Sequence, residues 1–138
     1  MKKYGIINVQ LAGYIAGLGH KDLFMVGDAG MPVPKDVPIV DLALCGGVPT
    51  FVQVMDAICD EVEIEGYTIA GEIAVSNEPL LNYIREKLKA AKEEMIGHDE
   101  LKKRSHRVKF AVRTGEFTPY PNIIIRAGVA FKPLIPAV

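Results

Sequence analysis

Only two cysteines, Cys45 and Cys59, occur in the 138 residues. That is too few for a disulfide framework, and their spacing fits no zinc motif. Both stand among apolar residues and read as buried thiols. No apolar run approaches the roughly 18–20 residues that a bilayer-spanning helix needs, so no membrane association is expected. No sign of charge is in surplus: 16 Lys and Arg stand against 17 Asp and Glu, a net charge of −1. Without a basic excess there is no electrostatic footprint for nucleic acid. Residues 1–10 begin basic but lack the apolar stretch and cleavage site of a secretory leader, and a cytoplasmic location is expected. The sequence contains no P-loop, no Gly-x-Gly-x-x-Gly turn, no Gly-x-Ser-x-Gly elbow and no His-Glu-x-x-His pair. No metal and no cofactor are expected.

What is present is a globular domain. Hydrophobic residues make up 49% and charged residues 24%, which excludes a disordered tail. Neither a repeat nor a linker divides residues 1–138, so a single domain is expected. Leu11, Tyr14, Ile15 and Leu18 form one helical stripe, with Gly19 as its stop. Residues 23–26 and 39–44 read as short strands, and 27–34 is too rich in Gly and Pro for either regular element. Thr50 is a plausible N-cap for a helix with Phe51, Val54, Met55 and Ile58 on one face. Residues 61–74 read as one or two strands. A long third helix starts at 76–79 and buries Leu81, Ile84, Leu88, Ala91 and Met95, with Gly97 at its end. Residues 99–104 suggest a short helical turn, and 109–113 and 122–129 read as two late strands. Interleaved strands and helices make this an α/β fold, and the fully apolar short strands suit a sheet covered by helices on both faces.

Three histidines, His20, His98 and His106, are the natural proton carriers near neutral pH. His20 follows a helix-ending glycine, which also fits a surface histidine at the end of a helix dipole. Asp28 lies in the Gly- and Pro-shaped loop, where an Asx-turn is the plain alternative. Tyr120 and Asn122 flank Pro121 at the entrance to a strand, a turn that can simply be structural. The acids Asp60, Glu61, Glu63 and Glu65 read as a solvated strand face. The run Lys102, Lys103 and Arg104 reads as a solvated helix face.

Three segments carry a family resemblance. Leu18-Gly19-His20-Lys21-Asp22, Asp28-Ala29-Gly30-Met31-Pro32-Val33-Pro34, and Arg113-Thr114-Gly115-Glu116-Phe117-Thr118-Pro119-Tyr120-Pro121-Asn122 resemble the ribose pyranase and fucose mutarotase family, in the same order and at similar separations. The likeness runs from Met1 to about Phe131. It implies a three-layer α/β/α domain with a mixed sheet, in cytoplasmic homo-oligomeric rings, decamers of two stacked pentamers. It implies a catalytic role for His20 and substrate binding by Asp28, His98 and the Tyr120, Pro121 and Asn122 segment. Pro121 stands where a small residue is expected, and the tail 132–138 extends beyond the usual end.

The chemistry implied suits these residue types. Interconverting pyranose and furanose forms of a monosaccharide such as D-ribose opens a hemiacetal and recloses it through another hydroxyl. An imidazole titrating near about 6.5 can carry the proton. No hydride moves and no carbon–carbon bond changes, so the reaction asks for no cofactor. The Asp28 loop and the turn before Tyr120 resemble the ribose branch of the family. The alternatives are mutarotation of fucose or a related sugar, and a non-catalytic sugar-binding accessory protein of a transport system. His98 lies on a connection, whereas His106 sits among Arg104, Arg107 and Lys109 and reads as dispensable surface. The apolar run 123–138 holds more hydrophobic surface than a small monomer hides, and this too suggests an oligomer.

Overall fold

In the computed structural model, residues 1–134 are described. Asn8 opens the first helix, its side-chain oxygen accepting the Leu11 N–H, so α1 (Val9–Ala16) begins before the expected stripe. It also ends earlier. Gly17, not Gly19, is the C-cap, and it keeps a right-handed conformation. The left-handed position of the following turn falls on Lys21, at φ 72°. That turn closes because the Asp22 carboxylate accepts the Gly19 N–H at 2.8 Å and Lys21 N–H donates to the Ala127 carbonyl at 2.9 Å.

β1 (Leu23–Gly27) and β2 (Ile39–Asp41) follow, the second three residues shorter than its apolar run. Thr50 caps α2 (Phe51–Cys59) as expected, and Gln53 completes a reciprocal capping box. Within 61–74 there is one strand, β3 (Ile64–Ala70), and a helical turn, α3 (Ile73–Ser76).

The long third helix is the main correction. α4 (Glu78–Lys87) stops one residue before Leu88, and Met95 lies on a strand, β4 (Lys92–Ile96). The helical spacing of Leu88, Ala91 and Met95 is coincidental. Tertiary partners decide the segment: Tyr67 and Thr68 hydroxyls donate to Glu93 and Glu94 at 3.0 and 2.9 Å, and Arg85 forks onto Glu93 at 2.8 and 3.1 Å. Charged side chains suit β4, which is an edge strand. α5 (His98–Arg104) matches the expected short turn, a 3-10 turn covers Ser105–Arg107, and β5 (Ala111–Arg113) and β6 (Ile123–Ala127) complete the sheet.

The strand order is β2-β5-β1-β6-β3-β4. β6 is antiparallel to both neighbours and the other five strands share one direction, so the sheet is mixed. Alternation divides the strands between two cores. Phe24, Val26, Ile123 and Ile125 face α1, α2 and α4, while Met25, Ala111 and Ile124 face Leu101 of α5 and the loop residues Met31 and Val37. The second face is thus covered by one short helix and a loop.

Two further expectations change. Cys45 is exposed, and only Cys59 is partly buried; desolvation pushes its thiol up to about 11. In the apolar run starting at 123, Ile123, Ile124, Ile125 and Ala127 are buried in the sheet and leave no surface for an interface. Its large exposed apolar side chains among the described residues are Val129, Phe131 and Leu134, and residues 135–138 of the tail lie outside the described residues. No helix among the described residues is long and apolar enough to cross a membrane.

Candidate active site

The five parallel strands end on one edge of the sheet, and β6 begins there. This edge, where strand C-termini deliver their loops, is the usual ligand side of an open α/β sheet. Asp28 follows β1 directly and Asn122 precedes β6 directly, so the antiparallel pairing of these strands brings together residues 94 apart. Asn122 Oδ1 accepts the Asp28 N–H at 2.9 Å, and Asn122 Nδ2 donates to Asp28 Oδ2 at 3.2 Å. Gly30 N–H donates to Asp28 Oδ1 at 2.8 Å, so the carboxylate is aimed from both sides. Thr114 anchors the strand end, its hydroxyl donating to the Gly27 carbonyl at 2.8 Å. Gly27 must be glycine here: a Cβ would stand 2.9 Å from Asn122 Oδ1 and 3.0 Å from the Met31 Cβ.

His98 is the first residue of α5, following β4 and not the long helix. Its N–H donates to both Glu72 oxygens, at 3.0 and 3.2 Å. Its ring meets Tyr120 edge to face, with centroids 5.0 Å apart. Nδ1 of that ring is buried and has no hydrogen-bond partner, the state of a group shaped for something from outside. Tyr120 itself has φ 66°, a strained position for a large residue. The buried Asn77 holds that turn in place, donating to Thr118 Oγ1 at 2.8 Å and to the Pro119 carbonyl at 2.9 Å.

Asp28, His98, Tyr120 and Asn122 line one cleft of about 290 Å³. Pro121 is buried and does not line it. Lys102 lines it as well, against the expectation of a solvated face. The signal was in the sequence: His98 and Lys102 are i and i+4 on one helix and share a face. Arg104 is likewise not simply solvated, because it pairs with Glu94. A wider depression adjoins the cleft, sharing Asp28 and Pro119 and adding Arg113, Glu116 and Phe117. Among the described residues no group of three or more His, Cys, Asp or Glu side chains is placed to hold a metal ion. His106 is exposed on the 3-10 turn.

His20 is elsewhere. It precedes β1, whereas Asp28 follows it, and five strand residues at about 3.3 Å each put roughly 16 Å between them. Its ring engages Glu65, Nε2 to Oε2 at 2.9 Å. Arg126 Nε donates to the other Glu65 oxygen at 2.9 Å. The hydrogen bond from His20, seconded by the one from Arg126, holds the Glu65 carboxyl below the usual carboxylate range against the opposing desolvation. Glu65 is therefore not part of a solvated acidic face. A lone Arg126 closing the apolar strand β6 was the clue to it.

Comparison with known proteins adds to this geometry. The model of the RbsD / FucU transport protein family matches residues 1–130. A D-ribose pyranase of Cutibacterium acnes is 48% identical over 131 residues, 95% of this chain and 100% of that protein. Among solved structures, Bacillus subtilis RbsD complexed with D-ribose superposes with a TM-score of 0.91 at 40% identity, covering 95% of this chain and 100% of the other. The fucose mutarotase of Streptococcus pneumoniae, in complex with L-fucose, has a TM-score of 0.77 at 19% identity, with 94% and 100% covered; it shares the fold.

Proposed function

The chain belongs to the RbsD/FucU family, and on that premise we propose that it interconverts the pyranose and furanose forms of D-ribose, with the cleft at the ends of the parallel strands as the sugar site. It is an isomerase of the D-ribose pyranase type, and the observation that carries the assignment is the convergence of Asp28, His98, Tyr120 and Asn122 on a cleft of monosaccharide size. The fucose reading is not favoured: the relatives matched at 38–48% identity are D-ribose pyranases, and the fucose enzyme lies at 19%.

The side chains have complementary roles. The Asp28 carboxylate accepts hydrogen bonds from sugar hydroxyls, and as a charged acceptor it binds them more strongly than an amide. His98 Nδ1 and the Tyr120 hydroxyl pair with further hydroxyls. Pro121 contributes backbone shape. His20 is the general acid. It protonates the ring oxygen as the bond from that oxygen to the anomeric carbon breaks and the anomeric hydroxyl gives up its proton, leaving the open aldehyde. Reclosure adds another hydroxyl to the carbonyl carbon; that hydroxyl loses a proton and the carbonyl oxygen gains one. Acid–base help of this kind is worth about 10²–10⁴-fold.

A His20 on the far edge from its own chain's Asp28 serves this reaction when a second copy brings its His20 to the cleft. Phe117 and Leu44, which are 76% and 80% exposed and line one depression near the cleft, form the apolar surface that such a copy would cover. The proposed working form is therefore a homo-oligomeric ring, a decamer in keeping with the family resemblance, of single-domain protomers acting in the cytoplasm. Exchange spectroscopy of ribose ring forms, with and without protein, tests the function. Accelerated exchange with ribose and not fucose supports it. Sugar binding without acceleration would establish a binding accessory protein instead.

A further inference from the structure

His20 lies on an exposed turn, yet both its backbone and its ring are held. Asp22, which closes the turn, is itself gripped by Lys109, whose Nζ donates to Asp22 Oδ2 at 3.0 Å and to the Gly17 carbonyl at 2.8 Å. The ring is held by Glu65, and three irregularities of the sheet serve that contact. The first is a register shift between β3 and β6. Ile64 pairs with Ala127 and Gly66 with Arg126, so Glu65 is an extra residue with no partner across the ladder. Such a bulge re-aims a side chain, and bulges recur beside active sites. The second is Gly66, over which the Arg126 guanidinium lies; a Cβ at this position would collide with it. The third is Arg126 itself, the one charge in a strand that is otherwise apolar. Core packing explains none of these, and a partly exposed ion pair adds little stability.

We infer that Glu65 is the positioning residue of the proton donor: its carboxylate accepts from His20 Nε2–H, which fixes the tautomer and ring orientation, leaves Nδ1 to exchange the proton with the sugar, and stabilises the imidazolium. Arg126 holds the second carboxylate oxygen so that the first stays aimed at His20. Glu65 acts through His20, and the cleft of its own chain lies at the other edge of the sheet. The inference rests on His20 being the general acid, as proposed above.

The experiment measures ribose ring exchange for Glu65→Gln, Glu65→Asp and His20→Ala. Glu65→Gln is expected to lower kcat about ten- to a hundredfold with KM within about twofold, the size seen when a metal-ligating histidine loses its orienting carboxylate. Glu65→Asp should recover part of the loss. Long-range ¹H–¹⁵N spectra of the unsubstituted protein should show neutral His20 as the Nε2–H tautomer, a reading that needs no variant to fold. A kcat within twofold of the parent for Glu65→Gln, a loss carried by KM alone, or a predominantly Nδ1–H ring overturns the inference. If His20→Ala keeps its exchange rate, the assignment of His20 as the acid fails. If His20→Ala is inactive while Glu65→Gln is normal, the role of Glu65 alone fails.

Discussion

Replacing Asn122 by Ala tests whether the Asp28 loop is held by one buried amide. Asn122 is only 2% exposed and makes two hydrogen bonds to Asp28, at 2.9 and 3.2 Å. The variant removes both, each worth about 0.5–1.5 kcal/mol net, and leaves the part-buried Asp28 N–H without its acceptor, where an unsatisfied group costs about 1–3 kcal/mol. The two figures overlap, because the desolvated N–H is part of the lost bond, and the expected loss is about 2–3 kcal/mol. For a chain of this length about 4 °C accompanies each kcal/mol, so Tm should fall by about 8–12 °C. Asp28→Asn is the control. It keeps the backbone bond to Asn122 and the acceptor for Gly30 N–H, and loses the carboxylate's charge and the Oδ2 acceptor for Asn122 Nδ2, so it should cost about 1 kcal/mol while weakening ribose binding. Thermal unfolding at matched protein concentration, alongside ribose titration by calorimetry, separates the two. Equal Tm losses in both variants, or a loss below about 2 °C for Asn122→Ala, would show that the amide does not hold the loop.

The two remaining histidines should part company: His98→Ala is expected to weaken ribose affinity about tenfold or more, and His106→Ala to leave it unchanged, by the same titration. Light scattering at micromolar concentration should give a mass several times 15.1 kDa, falling for Phe117→Asp; a monomer mass for the parent chain refutes the ring. Glu93 gives a sign-defined pH dependence. Hydrogen bonds from Arg85, then from Tyr67, hold its carboxyl below the usual range despite desolvation. Its contribution to stability is therefore fully present above about pH 4.3, the unfolded value, and is lost as pH falls through the lower folded one. The drop in Tm on acidification through that range should be smaller in Glu93→Gln than in the parent, and an identical drop contradicts the pairing.

Local signals in the sequence were read correctly where they are self-sufficient. The Thr50 cap, the apolar cores of β1 and β6 and the short helix after Gly97 each carry their own chemistry. The residues of the cleft were grouped only through the resemblance, because Asp28 and Asn122 meet across 94 residues and no spacing rule spans that distance. Residues 88–96 failed because their spacing is helical while their partners, Tyr67, Thr68 and Arg85, lie on other elements. Glu65 was misread for the same reason: its neighbours in sequence are acids, and its neighbours in space are His20 and Arg126. The separation of His20 from Asp28 was already implied by the strand read at 23–26, which has one of them at either end.

The strand order also sets when this sheet can form. β1 pairs only with β5 and β6, and neither exists in a growing chain until residues 111–127 have been made. Before then β1 has no ladder partner, β2 waits for β5, and β3 and β4 can pair only with each other. On a ribosome, more than four-fifths of the chain must therefore emerge before the two halves of the sheet can be joined, and β6 is the strand that joins them. Such a topology is expected to fold late and slowly, with apolar strands left waiting for partners. Because Asn122 leads directly into β6, the same step that closes the sheet locks the Asp28 loop. A nascent or truncated chain lacking β6 should be a substrate for chaperones and blind to sugar, and no partially folded form should bind ribose.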